Sequence, residues 1–380
     1  MTSTTHPIQD PHHGLHSEDG ARRDEHSGRD PQPVIKAVDL AWLEFVKPDL
    51  ERAETFARDF GFTVAARTPH ALYLRATLPG PHCLVIRRGP ASRFLGPAFL
   101  AADRSDLDRL AEATGRRVRA LREYGGGHVV DLLDPSGTPV RVVHGVTEHP
   151  ALPGQRPLPL PLNTGGHATR INATQRAPRE PARIERLGHV VLSTRSFRRT
   201  LDWYLHHLGM IVSDFLHLDG RRHQGPTMAF IRCDRGGEPA DHHTLAIHLG
   251  PDTGYVHSAY QVADLDALAA GGAYLAERGY RRSWGIGRHI QGSQIFDYWR
   301  DPDRFLVEHF TDGDLFDNTL EPGWAAMSAS GLAQWGPPAT RDFLGATPSP
   351  ALLRKVLTAL REDNEIDPAR LKALMKAMSS

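Results

Sequence analysis

LGHVVLSTRSFRRTLDWYLHHLG, residues 187–209, holds a short apolar strand (Leu187–Leu192), a polar turn, and an amphipathic helix from Phe197 to Leu208 that stops at Gly209. The same sequence of events occurs earlier in the chain. There Leu40–Phe45 is the strand, and the helix runs from Leu50 to Phe60 and stops at Gly61. Further along each copy, Ser105-Asp106-Leu107-Asp108 and Ala263-Asp264-Leu265-Asp266 begin a second helix. Each copy then closes with strand, Asp-Pro turn and strand, through Leu133-Asp134-Pro135-Ser136-Gly137 and Arg300-Asp301-Pro302-Asp303. Proline after aspartate suits a tight reversal because its fixed φ seeds the turn. Alternating stretches at Thr227–Cys233, Thr244–Leu249 and Ile295–Trp299 read as short strands between the helices. The order strand–helix–three strands is thus expected four times, twice in each half, and the fold class is α+β.

The repeat sets the domain boundaries. Residues 34–145 form the first module and 183–312 the second. Between them, at 146–182, lies a linker punctuated by Pro150, Pro153, Pro157, Pro159, Pro161, Pro178 and Pro181. Residues 1–33 carry five histidines, many charges and few apolar side chains. Such a segment cannot bury enough surface to offset its ordering entropy, so it is expected to be a disordered tail. Residues 313–380 form an extension. Its first part, to 348, is rich in Gly, Pro and Trp and reads as irregular. Its end reads as two short helices, one striped by Leu352, Leu353, Val356, Leu357 and Leu360, the other capped by Asp367-Pro368.

Composition excludes several classes of function. Of the 380 residues, 45 Lys and Arg balance 45 Asp and Glu, so no net field favours nucleic acid or anionic membrane. No run approaches the roughly 18 apolar residues of a spanning helix. The polar first thirty residues lack the apolar core of a secretory signal, and a cytoplasmic location is expected. Cys83 and Cys233 are the only two cysteines, which excludes a disulfide framework and a thiolate zinc cluster. Twenty-two histidines leave imidazole and carboxylate as the metal ligands to look for.

Three polar residues interrupt apolar strands. They are His189 in Leu187–Leu192, His257 in Tyr255–Tyr260 and Glu308 in Phe305–Phe310. Each is costly if buried without a partner. Together, two neutral imidazoles and one carboxylate make the facial triad that leaves positions open on non-haem Fe(II), whereas a structural zinc site wants four closed ligands.

The second half resembles the catalytic module of the type I extradiol ring-cleaving dioxygenases, in the vicinal oxygen chelate superfamily. The resemblance rests on Leu187-Gly188-His189, on Val256-His257, and on Gly285-Ile286-Gly287-Arg288-His289 through Asp297-Tyr298 to Val307-Glu308. It implies two modules of paired βαβββ units, each curved into an open barrel. It implies one Fe(II), with Mn(II) as the other fit, held by His189, His257 and Glu308. It makes His243 the acid–base group beside the oxygen site, with His242 as its competitor in register. His289 and Tyr298 become the pair that hydrogen-bonds the substrate's oxygens. The implied reaction is extradiol cleavage of a catechol-type diol with O2 to a ring-opened semialdehyde. A glyoxalase-like lyase or isomerase, or a metal-free small-molecule binding protein, is the alternative within the same fold. Trp284 and Trp299 are candidates for an apolar wall, residues 313–348 for a lid, and a homo-oligomer is expected.

Aligning the halves on their Asp-Pro turns places Arg141 where Glu308 stands. Aligning their Leu-Asp helix starts places Phe99 opposite His257, while Ala41 or Trp42 matches His189. None of these completes a triad, so the first module is expected to be metal-free.

Overall fold

The computed structural model describes residues 19–328, 330–345, 350–362 and 364–378. In the first module the strand Ala37–Lys47 leads into the helix Leu50–Phe60 and the strands Thr63–Arg67, Ala71–Arg75 and Leu84–Arg88. The strand Arg93–Ala101 then leads into the helix Arg104–Thr114 and the strands Val118–Ala120, His128–Leu133 and Pro139–His144. The second module repeats both units. Its first is the strand Arg186–Thr194, the helix Phe197–Leu208 and the strands Ile211–Leu218, Met228–Arg232 and Leu245–Leu249. Its second is the strand Gly254–Gln261, the helix Leu265–Glu277 and the strands Arg281–His289, Ile295–Arg300 and Leu306–Thr311. The four-fold βαβββ order expected from the sequence is therefore present.

Pairing is the same in both halves. Arg186–Thr194 lies parallel to Leu245–Leu249 and antiparallel to Gly254–Gln261, which lies parallel to Leu306–Thr311. In the first module Ala37–Lys47, Leu84–Arg88, Arg93–Ala101 and Pro139–His144 repeat those relations. Each sheet is open, with distinct edge strands.

Local chemistry marks the ends of the helices. Asp49 caps the first helix by accepting from the Glu51 and Arg52 amides, and Gly61 ends it at φ 109°. A side chain at Gly61 is excluded twice. That φ is left-handed, and a Cβ would lie 1.7 Å from the Ala182 carbonyl, where the linker docks.

The ladders correct one alignment. Asp264 is the N-cap of its helix, but in the first module the N-cap is Asp103, and Asp106 sits at the third helical position as the return half of a capping box. Matching Asp106 to Asp264 therefore slips the halves by nearly one helical turn. The register places Trp42, Gly96 and Arg141, not Phe99, at the positions of His189, His257 and Glu308.

Two further expectations do not hold. Residues 19–33 are not a loose tail. Asp19–Gly20 pairs with the strand Gly323–Met327, the Arg222 guanidinium grips Glu25, and Gly28 is buried against Val212 and Pro322. Residues 1–18 lie outside the described residues. Nor is the early extension irregular. Gly323–Met327 runs parallel to Ile211–Leu218, and Ala333–Trp335 pairs with Arg281–His289, so the extension caps both edges of the second sheet. Unpaired edge amides supply the reason, since any nearby strand satisfies them. The two terminal helices occur at Pro350–Ala359 and Pro368–Ala377, and Asp367 accepts from the Arg370 amide.

The modules share one hydrophobic core and exchange their Asp-Pro turns. Tyr204 of the second module donates to Asp134 of the first, at 3.3 Å, and Ser136 bonds Thr200 at 2.7 Å. Reciprocally, Lys47 of the first module pairs with Asp301 of the second, and Phe305 packs on Phe45 at 4.9 Å between ring centres. The first module thus braces the strands that carry the site. Among the described residues, no helix is long and apolar enough to cross a membrane.

Candidate active site

Three neighbouring strands of the second sheet place their polar residues on one face. Across the ladder His189 sits opposite Ala259, which sits opposite Glu308, and Val191 sits opposite His257. Alternation along Leu306–Thr311 turns Glu308 toward this face and His309 to the other, where His309 stacks on Phe60 of the first module. Gly188 lets the site close, because a Cβ there would collide with the Phe310 ring, which packs against His189.

The ligand atoms of His189, His257 and Glu308 all lie within 4.8 Å of one another. Both imidazole Nε2 atoms stand 3.4 Å from Glu308 Oε2. Glu308 is fully buried, and its carboxylate faces both imidazoles at that distance. Burial drives its pKa up, but hydrogen bonding and charge from His189 and His257 prevail and hold the carboxyl well below its usual range. Burial likewise lowers His257, against the pull of Glu308, and keeps that imidazole neutral. A buried, ionised carboxylate facing two imidazoles is a donor set suited to a dication.

His289 and Tyr298 line the same face. The His289 Nδ1 donates to the Leu332 carbonyl at 2.7 Å, which leaves Nε2 to accept from the Tyr298 hydroxyl at 2.9 Å. Burial lowers His289 and raises Tyr298, so both stay uncharged.

Of His242 and His243, it is His243 that lies against His189. Its ring stacks 3.9 Å from that of His189, while His242 lies behind it. His242 Nε2 donates to Asp214 at 2.5 Å, and its Nδ1 lies 2.9 Å from His243 Nδ1; with His242 neutral, His243 is the donor of that second bond. The His243 Nε2 lone pair is left for the site. Burial first, and then the neighbouring His189 and His242, press the His243 pKa well below that of free imidazole.

Asp214 escaped the sequence reading. Its signal was of the same kind as the others, a carboxylate inside the apolar strand Ile211–Leu218, buried in the fold.

Of the two tryptophans expected to wall the site, only Trp284 does so. It packs on Phe296 at 4.1 Å and stacks with Tyr298 at 5.7 Å, whereas Trp299 points to the opposite face under the Arg282 guanidinium. The extension closes over this wall. Phe343 lies 4.5 Å from Trp284 and 4.7 Å from Tyr298 between ring centres, and Trp284 Nε1 donates to the Pro337 carbonyl. Asp342 holds the segment down through Ser283, Arg281 and Arg300.

Residues 186–309 match the model of the Glyoxalase/Bleomycin resistance protein/Dioxygenase superfamily. Over 336 residues the chain is 30% identical to metapyrocatechase 2 of Cupriavidus necator, spanning 87% of this chain and 98% of that one. The chain belongs to the extradiol dioxygenases. This extradiol dioxygenase is also 24% identical, over 80% of its length and 94% of the relative's, to an iron-dependent extradiol dioxygenase of Rhodococcus jostii. Its fold matches homoprotocatechuate 2,3-dioxygenase of Brevibacterium fuscum, solved with 3,4-dihydroxyphenylacetate, with a TM-score of 0.66 at 21% identity over 84% of this chain and 95% of that one. It matches the Mn(II)-bound glyoxalase of Novosphingobium aromaticivorans with a TM-score of 0.67 at 23% identity, over 83% and 95% of the two chains. The expected recognition and fold class therefore stand.

Proposed function

We propose that the second module binds one Fe(II) through His189, His257 and Glu308 and cleaves a catechol-type ring with O2 beside the diol. Mn(II) suits the same ligands. The observation that carries this reading is the buried Glu308 carboxylate, held ionised, with its ligand atom and those of His189 and His257 all within 4.8 Å of one another. When bound, the metal lowers the cost of deprotonating the diol and holds it next to oxygen.

The protein's own groups divide the remaining work. His243 Nε2 takes a proton from the reacting oxygens and returns it, a role worth roughly 10²–10⁴-fold in rate. Asp214 and His242 keep His243 in the tautomer that offers Nε2 to the site. Tyr298, with its proton held toward His289 Nε2, orients one substrate oxygen, while Trp284 and Phe343 seat the ring and exclude water. Both atoms of O2 end in the ring-opened semialdehyde, so no outside reductant is needed.

A glyoxalase-like lyase or isomerase is the second reading, favoured by the Mn(II)-bound glyoxalase among the structural relatives. Such enzymes use a carboxylate as base at the metal. Among the described residues, the metal-ligand group offers Glu308 alone, and the acid–base groups beside it are imidazoles and a phenol. That equipment supports ring cleavage.

The test is oxygen uptake by the Fe(II)-loaded protein over a panel of substituted catechols, with His257→Ala alongside and metal content measured for both. The expected result is one O2 per catechol and a yellow product, with uptake and bound iron both lost in the variant. Stoichiometric iron with no uptake on any catechol would reject the reading.

A further inference from the structure

We propose that His248 determines specificity at the far edge of the substrate ring, accepting a hydrogen bond from a hydroxyl-type substituent on a carbon remote from the diol. This rests on the catechol reading above.

The placement follows from register. In the strand Leu245–Leu249, the side chains of Leu245, Ile247 and Leu249 enter the hydrophobic core. Ala246 and His248 therefore face the other way, onto the face that carries the metal ligands. One row of the sheet reads Phe230, Ala246, Val191 and His257 across four strands. Phe230 in this row touches His243, at 5.1 Å between ring centres. The next row along the strands reads Met228, His248 and Ser193. Two residues along a strand are about 6.6 Å. His248 thus stands one row beyond His257 along the strands and two strands across, the position we assign to the carbons opposite the diol.

The chemistry follows from the hydrogen bond. His248 Nδ1 lies 3.2 Å from the Leu249 carbonyl, which can only accept, so Nδ1 carries the proton and Nε2 holds the free lone pair. Burial keeps the ring neutral. The ring is nevertheless half-buried rather than sealed, and its Nε2 has no partner among the described residues. Of its row neighbours Met228 is apolar and the Ser193 hydroxyl donates to the Asp252 carbonyl, so the imidazole offers that row a free nitrogen lone pair. A neutral acceptor favours a hydroxyl over a methyl group, and it offers nothing to a carboxylate.

The experiment is anaerobic calorimetric binding to the Fe(II)-loaded protein, using catechol, 4-methylcatechol and 4-(hydroxymethyl)catechol with wild type, His248→Leu and His248→Gln. Relative to wild type, the Leu variant should lose about fivefold of the preference for hydroxymethyl over methyl, on the scale of one neutral hydrogen bond. Its Kd for unsubstituted catechol should stay within about twofold. Gln, which keeps an acceptor, should restore part of the preference. If all three catechols bind and the preference is the same in wild type and Leu, His248 has no such role and the catechol reading stands. If no catechol binds the iron-loaded wild type, the catechol reading fails and this proposal falls with it.

Discussion

His243 Nδ1 lies 2.9 Å from His242 Nδ1, and this contact fixes which nitrogen of His243 is basic. In the neutral form of His242, Asp214 holds the single ring proton at Nε2. Its Nδ1 can then only accept, so His243 donates backward and presents Nε2 to the metal site. The arrangement orients the His243 ring from behind, as outer partners do for metal-bound histidines.

Removing the carboxylate frees His242 to adopt the other tautomer, and His243 then loses its reason to face Nε2 inward. Asp214→Asn should lower kcat by about 10–100-fold with KM within about twofold, since ring seating is untouched. Steady-state kinetics on the iron-loaded protein check this. A loss confined to KM, or bound iron below that of wild type, would assign Asp214 a structural role instead.

Asp342 is the peg of the closing segment, because it binds Ser283, Arg281 and Arg300 while its neighbour Phe343 packs on Trp284 and Tyr298. Asp342→Ala should speed amide exchange across 332–343 and raise KM several-fold for the aromatic diol, leaving metal content unchanged. Exchange protection equal to wild type would show that Phe343 and Pro337 hold the segment without it.

The fold was legible because its signal is repeated. Helix stops at Gly61 and Gly209 and turns at Asp134 and Asp301 recur with matching offsets, and each is a local rule of backbone chemistry. His189, His257, Glu308 and Tyr298 share a face because strand alternation is also local, whereas His243 precedes the strand Leu245–Leu249 and reaches His189 from a loop. The edge strands were illegible, since Asp19–Gly20 and Ala333–Trp335 are strands only where a sheet edge offers amides to pair with. Asp106 misled the alignment because a capping-box residue and an N-cap are both aspartates, and only the helix start tells them apart.

His309, on the back of the Glu308 strand, is a pH-sensitive buttress. Its Nε2 donates to the Phe60 carbonyl at 2.8 Å, and burial pushes its pKa down to about 4. In the unfolded chain the value is about 6.5. Between these values the unfolded state takes a proton that the folded state refuses, so stability is full above about pH 6.5 and is lost as pH falls toward 4. Asp39 and Asp297, raised to about 6 and about 7, act with the opposite sign, so the wild-type curve alone does not isolate His309. His309→Gln keeps a donor for Phe60 and cannot titrate. Its stability relative to wild type should improve by about 2–3 kcal/mol between pH 7.5 and pH 4.5, read from urea unfolding. A gap that does not change with pH would refute the assignment.

The first module carries an ion-pair cluster at the position that corresponds to Glu308. Arg141 stands where Glu308 stands, opposite Ala98 as Glu308 is opposite Ala259, and it reaches Glu44 at 2.7 Å. Glu44 is buried and also bound by Arg87, so a guanidinium pair occupies that site with the opposite charge pattern. Truncating one partner strands the others. Glu44→Gln should cost about 1–3 kcal/mol, less than a fully buried pair because both arginines are about a quarter exposed. Glu44→Met with Arg87→Met and Arg141→Met should recover much of it, since apolar side chains of similar volume carry no desolvation cost. Urea unfolding of the variants measures this, with bound metal per chain as the control. Metal content unchanged in all variants is required if the second module alone holds the ion, and a fall in metal with Glu44→Gln would place a ligand in the wrong half.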